Sequence, residues 1–194
     1  MRTDERLAKL RAALRRRQPD LTVVMENIHD PHNVSAMLRS CDAVGVLGVH
    51  LVYTHESFPD IGAKSSASAR KWVERTSHRS VAECYARLRS EGFAVYATRL
   101  DSQARSLYDL DLTRPTAFVF GNEHRGVSDE AASEADGSVM IPMFGMIQSL
   151  NVSVACAVSL FEAARQRMKA GAYEMPKIAE EDLERLLRVW AMKD

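Results

Sequence analysis

The stretch Thr116-Ala117-Phe118-Val119-Phe120-Gly121-Asn122-Glu123-His124-Arg125-Gly126 decides how this chain reads. Its first five residues are apolar or β-branched, the pattern of a strand covered on both faces. The run stops at a glycine and turns polar at once, as a strand does at the carboxyl edge of a parallel sheet. Ligands bind at that edge in open α/β sheets. Working outward, further strands read over 21–26, 49–53, 72–76, 93–98 and 138–141. Helices read over 3–17, 33–44, 80–90, 128–135, 151–168 and 180–192. Gly45 and Gly92 stand at helix ends, and Ser128 stands at a helix start. Residues 54–70 read as a loop. Strand–helix alternation of this kind predicts an α/β domain with a mostly parallel sheet.

The 194 residues are 46% hydrophobic and 27% charged, enough for one ordinary globular core. Lys+Arg and Asp+Glu number 26 each, which excludes a polycation of the histone kind. No apolar run is long enough for a membrane span, and no apolar core follows the charged start as in a secretory signal. Cys41, Cys84 and Cys156 are odd in number and far apart. They read as small buried hydrophobes in a reducing cytoplasm, not as a disulfide or zinc framework. Phosphate-loop, dinucleotide, zinc-protease and nucleophile-elbow motifs are all missing, and the histidines lack metal-ligand spacing. Charge is nonetheless uneven. Residues 1–17 carry seven basic and two acidic side chains, and 64–89 carry a second basic set. Two basic segments suit a polyanion, or two solvated faces.

The remaining chemistry sits where strands end. Four polar or irregular segments can converge there: 27–33, Thr98-Arg99-Leu100, 121–126 and 141–151. Two helices open on the same tripeptide, Asn33-Val34-Ser35 and Asn151-Val152-Ser153, so both asparagines read as helix caps. His32, Ser35, Arg39 and Asp42 share one helical stripe, opposite an apolar stripe of Val34, Met37, Leu38, Cys41 and Val44. Arg39 near a helix N-terminus is opposed by the helix dipole, which points to an anionic partner such as phosphate, or to pairing with Asp42. Glu123 can accept hydrogen bonds from a ligand or orient Arg39. Residues 141–151 form an apolar irregular loop, expected to be buried or to wrap an apolar ligand such as a purine.

Asn27–Arg39 (NIHDPHNVSAMLR), Phe120–Gly126 (FGNEHRG) and Ile141–Ser153 (IPMFGMIQSLNVS) resemble, in this order, the three motifs of the TrmH family within the SPOUT superfamily of RNA ribose 2′-O-methyltransferases. The likeness extends from about residue 15 to 173. It implies an α/β sheet whose C-terminal part, about 117–165, is tied in a deep trefoil knot. Short helical extensions at 1–19 and 169–194 would flank a methyltransferase domain at 20–168. It implies S-adenosylmethionine as cofactor, tRNA as partner, no metal, and a homodimer with composite sites. The activity implied is methylation of the ribose 2′-OH of guanosine 18 in the D-loop of tRNA. Another tRNA or ribosomal RNA nucleotide, and a non-catalytic RNA-binding module, are the alternatives. Carried onto this chain, Asn33, Arg39, Glu123, Ser149 and Asn151 are the catalytic set. Thr98, Leu100, Gly121, Ile141, Met143 and Leu150 are the cofactor contacts. Arg6, Arg11, Arg15, Arg16 and Arg17, with His32, Arg165 and Arg167, are the RNA contacts. His124 stands where the family often has lysine.

Overall fold

The computed structural model describes residues 4–61 and 69–193. Arg2, Thr3 and Lys64, which belong to the basic segments and the first helix read from sequence, lie outside the described residues, as does much of the 54–70 loop. Among the described residues, seven strands form one sheet in which every pairing is parallel. They are β1 (Leu21–Glu26), β2 (Gly48–Val52), β3 (Glu74–His78), β4 (Ala94–Thr98), β5 (Arg105–Ser106), β6 (Thr116–Phe120) and β7 (Gly137–Met140). Their spatial order is β3-β2-β1-β6-β4-β7-β5. β1 and β6 lie at the centre, and every residue of both is buried. That is why their sequences run apolar without alternation.

Two helical layers cover the sheet. On one face α2 (Pro31–Val44) and α6 (Val152–Lys169) pack over Val23, Met25, Phe118 and Phe120. On the other, α4 (Val81–Ser90) and α5 (Asp129–Glu134) pack over Val24, Val95, Ala117 and Val119. A separate cluster joins α1 (Asp4–Leu14) to α7 (Glu180–Ala191) through Leu10, Leu14, Leu183 and Trp190. The apolar stripe of α2 is buried as its periodicity requires, and the three cysteines are free and buried.

Three local readings change. α2 begins at Pro31, two residues earlier than its sequence suggests, because the Asp30 side chain accepts the His32 N–H at 2.8 Å and Pro31 fits the first helical position. Asn33 therefore lies inside the helix and is not its cap. Trp72 ends a short helix, α3 (Ala69–Trp72), instead of opening a strand, since its ring packs against Trp190 at 5.1 Å between centroids. The strand begins at Glu74. The two-residue β5 is an edge strand too short to leave a sequence signal.

Candidate active site

A cleft of about 780 Å³ opens over the carboxyl ends of β1, β4, β6 and β7. All four converging segments contribute to it: Asn27, the 98–100 turn, the 121–126 loop and the 141–151 loop. Thr98, Leu100, Gly121, Ile141, Met143 and Leu150, the expected cofactor contacts, all line it. Its floor is apolar, with Phe120, Val139, Val152 and Ala155.

The loop after β6 folds back on itself. The Gly126 N–H donates to the Asn122 carbonyl at 2.8 Å, and a Cβ on Gly121 would stand 2.1 Å from the Gly126 carbonyl oxygen. Only glycine fits there. Gly126 itself has φ +70°. The Asn122 amide donates to the Asn27 carbonyl at 2.9 Å, which ties this loop to the end of β1. Asn27 sits at φ 50°, and its side-chain oxygen accepts the Thr54 and His55 N–H groups.

Glu123 is the clasp between two motifs. It accepts the backbone N–H of His29 and of Asp30 and the Asn33 side-chain amide, each at 3.0 Å. Burial works against its charge, but the donors from Asn33, His29 and Asp30 hold the carboxyl below its ordinary range. So Glu123 orients Asn33 and the start of α2, whereas no bond joins it to Arg39. Asn151 does cap α6, accepting the Ser153 N–H at 2.9 Å. Asn151 and Ser149 are exposed at the rim of the cleft.

Arg39 and His32 are exposed on α2 and do not line the cleft of their own chain. Arg39 has no ion pair or hydrogen bond among the described residues, so the alternative pairing with Asp42 does not occur. Asp42 instead takes Arg17. This corrects the reading of Arg17 as an RNA contact. Its side chain is 3% exposed, donates to the Val46 carbonyl at 2.7 Å and lies against the Trp190 ring. Arg167 is corrected likewise. It is wholly buried, pairs with Asp20 at 2.6 Å and donates to the carbonyls of Leu112 and Arg114. Arg11 pairs with Glu184 and Glu180, and Arg165 pairs with Glu162 at 2.8 Å while staying largely exposed. Arg6 donates to the Lys193 carbonyl. Arg15 and Arg16 are exposed, and neither side chain is engaged among the described residues.

The 141–151 loop also departs from expectation. Of its two expected states, burial does not hold, since Phe144 is 99% and Met146 98% exposed, while Ile141, Met143 and Leu150 line the cleft in keeping with the other, wrapping a ligand. Sequence reasoning missed Glu26 and Arg125, which line the cleft. The signal for Glu26 is an acid ending an all-apolar strand. Arg125 pairs with Glu56 at 2.9 Å and Arg99 with Asp129 at 2.8 Å. Away from the cleft, His50, His78 and Cys84 are buried with their ligating atoms within 4.8 Å of one another. His50 Nδ1 and His78 Nε2 are 2.9 Å apart, so the two rings satisfy each other by a hydrogen bond.

A parallel α/β sheet carrying a mostly apolar cleft at its carboxyl edge, with helix N-termini and Asn, Ser and Glu side chains at the rim, defines a nucleotide- or cofactor-binding α/β enzyme. The particular family follows from comparison. The sequence profile of the SpoU rRNA methylase family matches residues 20–161, and the chain belongs to that family. It is 50% identical over 192 residues to a tRNA (guanosine(18)-2′-O)-methyltransferase of Thermus thermophilus, covering 99% of this chain and 98% of the relative. It superposes on the TrmH/SpoU tRNA modifying enzyme of A. aeolicus with a TM-score of 0.91 at 39% identity, over 97% of this chain and 95% of that one. The SpoU methyltransferase AviRb of Streptomyces viridochromogenes, solved with the cofactor AdoMet, matches with a TM-score of 0.66 at 29% identity, over 76% of this chain and 57% of its own.

Proposed function

We propose that this chain methylates the ribose 2′-OH of guanosine 18 in tRNA, using S-adenosylmethionine. The observation that carries the reading is the cleft at the carboxyl edge. It gathers all three motif segments, in a chain that matches a methyltransferase of that specificity along nearly its whole length. The cofactor fits the residues present. The cleft has the volume of a nucleoside-sized ligand site and an apolar floor for a purine, with Gly121 and Leu150 in its lining. Thr98, Leu100, Gly121, Ile141, Met143 and Leu150 would hold it. When bound, the cofactor supplies a methyl group already activated on a sulfonium, so positioning the hydroxyl is the protein's main task.

Arg39 serves that task as a cation. A guanidinium keeps its proton at any working pH, so it is a poor base. Its fork suits the phosphate beside the target ribose, where it orients the sugar and stabilises charge growing on the attacking oxygen. Because Arg39 lies outside its own chain's cleft, the reading places it at the site formed with a second copy. The same second copy covers Phe144, Met146 and Ile147, which is what an apolar loop exposed to this degree requires. Asn33, held by Glu123, presents its remaining polar atom from the start of α2, and Ser149 and Asn151 do so from the rim. Arg15 and Arg16, with Arg165 and His32, form the basic surface for the tRNA backbone. The fold is read as knotted over about 117–165. In support, the segment before β6 is tied to the end of α6, where Gln166 accepts the Leu112 N–H at 2.9 Å and donates to the Leu110 carbonyl at 3.0 Å. No described helix is long and apolar enough to cross a membrane, and three buried free thiols suit the cytoplasm.

The test is incubation of the purified chain with an unmodified tRNA transcript and isotopically labelled cofactor, followed by mapping of the modified nucleotide. One 2′-O-methylguanosine at position 18 is expected. Label on a base, or at another ribose, overturns the reading.

A further inference from the structure

Glu26 ends β1, is 4% exposed, and lines the cleft. An acid at the end of an apolar strand costs free energy unless its charge is met. One carboxylate oxygen accepts the Ser128 N–H at 2.9 Å. The other has no hydrogen-bond partner among the described residues. Arg17 Nε is the only fully buried side-chain polar atom there without a partner, so this second oxygen of Glu26 is open, on a residue that lines the cleft. The cations that line the same cleft are engaged elsewhere, Arg99 with Asp129 and Arg125 with Glu56. A carboxylate largely shielded from water is thus left with its charge unmatched, beside a cavity suited to a cationic donor.

Building on the methyl-transfer reading, we propose that Glu26 is a binding residue for the donor's sulfonium. Its open oxygen attracts the charged donor and not the neutral thioether left after transfer. The pair of ligands therefore differs at this residue by one unit of charge, and loss of that charge on transfer weakens the hold on the product.

The experiment is calorimetric titration of the full chain with S-adenosylmethionine and with S-adenosylhomocysteine. Both are measured on the wild type and on Glu26→Gln, which keeps an acceptor for the Ser128 N–H and removes only the charge. We expect the donor to bind about tenfold more weakly to Glu26→Gln, with the product within about twofold of wild type. Glu26→Asp, which keeps the charge but withdraws it, gives a smaller loss for the donor alone and serves if the glutamine variant does not fold. Equal losses for both ligands, or no change for either, overturn the proposal. If the wild type binds neither ligand, the methyl-transfer reading itself fails.

Discussion

The carboxyl edge of the sheet and the body of the molecule behind it are built on opposite terms. In the body, buried charged and polar groups are answered by neighbours in the chain, Arg17 Nε excepted. Arg17 has Asp42 and the Val46 carbonyl, Arg167 has Asp20 and three backbone carbonyls, and His50 has His78. At the edge, groups are left open. Arg39 has no partner among the described residues, Glu26 has one oxygen free, and Phe144 and Met146 stand almost fully exposed. Bonds completed within the chain mark stability, and groups left incomplete mark places where something else must bind. Arg167 and Arg39 show the contrast best, because the same side chain is a buried strut in one and an exposed, unengaged cation in the other.

Substitutions break the contrast in order of expected size. Arg39→Ala is expected to lower turnover about 10³-fold, the scale of losing one group that stabilises developing oxyanion charge. Its unfolding midpoint and cofactor affinity should match wild type, read by methyl incorporation, thermal denaturation and calorimetry. A collapse of cofactor affinity would assign Arg39 to the wrong place. Phe144→Asp is expected to weaken self-association more than about 100-fold, since it removes an apolar anchor and puts a charge in a dry interface. Sedimentation at graded concentration reads this, and activity should fall with the fraction assembled. A chain that is monomeric and fully active before mutation would refute the second copy's role.

In the body of the molecule the readout changes. Arg167→Ala leaves Asp20 and three carbonyls short of a donor and is expected to cost about 3 kcal/mol of stability, measured by denaturant unfolding, with cofactor affinity intact. Paired replacement of Arg15 and Arg16 by alanine should do the reverse. Stability holds, tRNA affinity falls, and the slope of log affinity against log salt drops by about 2. The smallest effect is on pH. Burial and the neighbouring His78 push His50 down from 6.5 to about 4. Between those values the unfolded chain binds the proton and the folded chain does not, so acid favours unfolding. Stability should fall by about 2 kcal/mol from pH 7 to pH 5, and His50→Gln should flatten that slope.

What the sequence makes legible follows from where each signal resides. The central strands are readable because burial on both faces leaves an unbroken apolar run, as in 116–120. The cleft is readable because strand ends turn polar abruptly at Asn27 and Gly121, and the three motifs carry the family resemblance. Partner choice is not readable. Arg15, Arg16 and Arg17 are consecutive and chemically identical, yet only the last meets Trp190 and Asp42, and that is decided by tertiary packing of α7. Asn33 and Asn151 open the same tripeptide, but Asp30 pre-empts the first as a cap and Glu123 claims its amide. The 141–151 loop misled for a different reason. Apolar composition reports that a segment needs cover, not whether its own chain supplies it.

The most direct test uses a tRNA transcript in which guanosine 18 alone is replaced by 2′-deoxyguanosine. The account predicts that this RNA binds nearly as well as the unsubstituted one and accepts no methyl group from the cofactor. Methyl incorporation into the substituted transcript at the ordinary rate would contradict it.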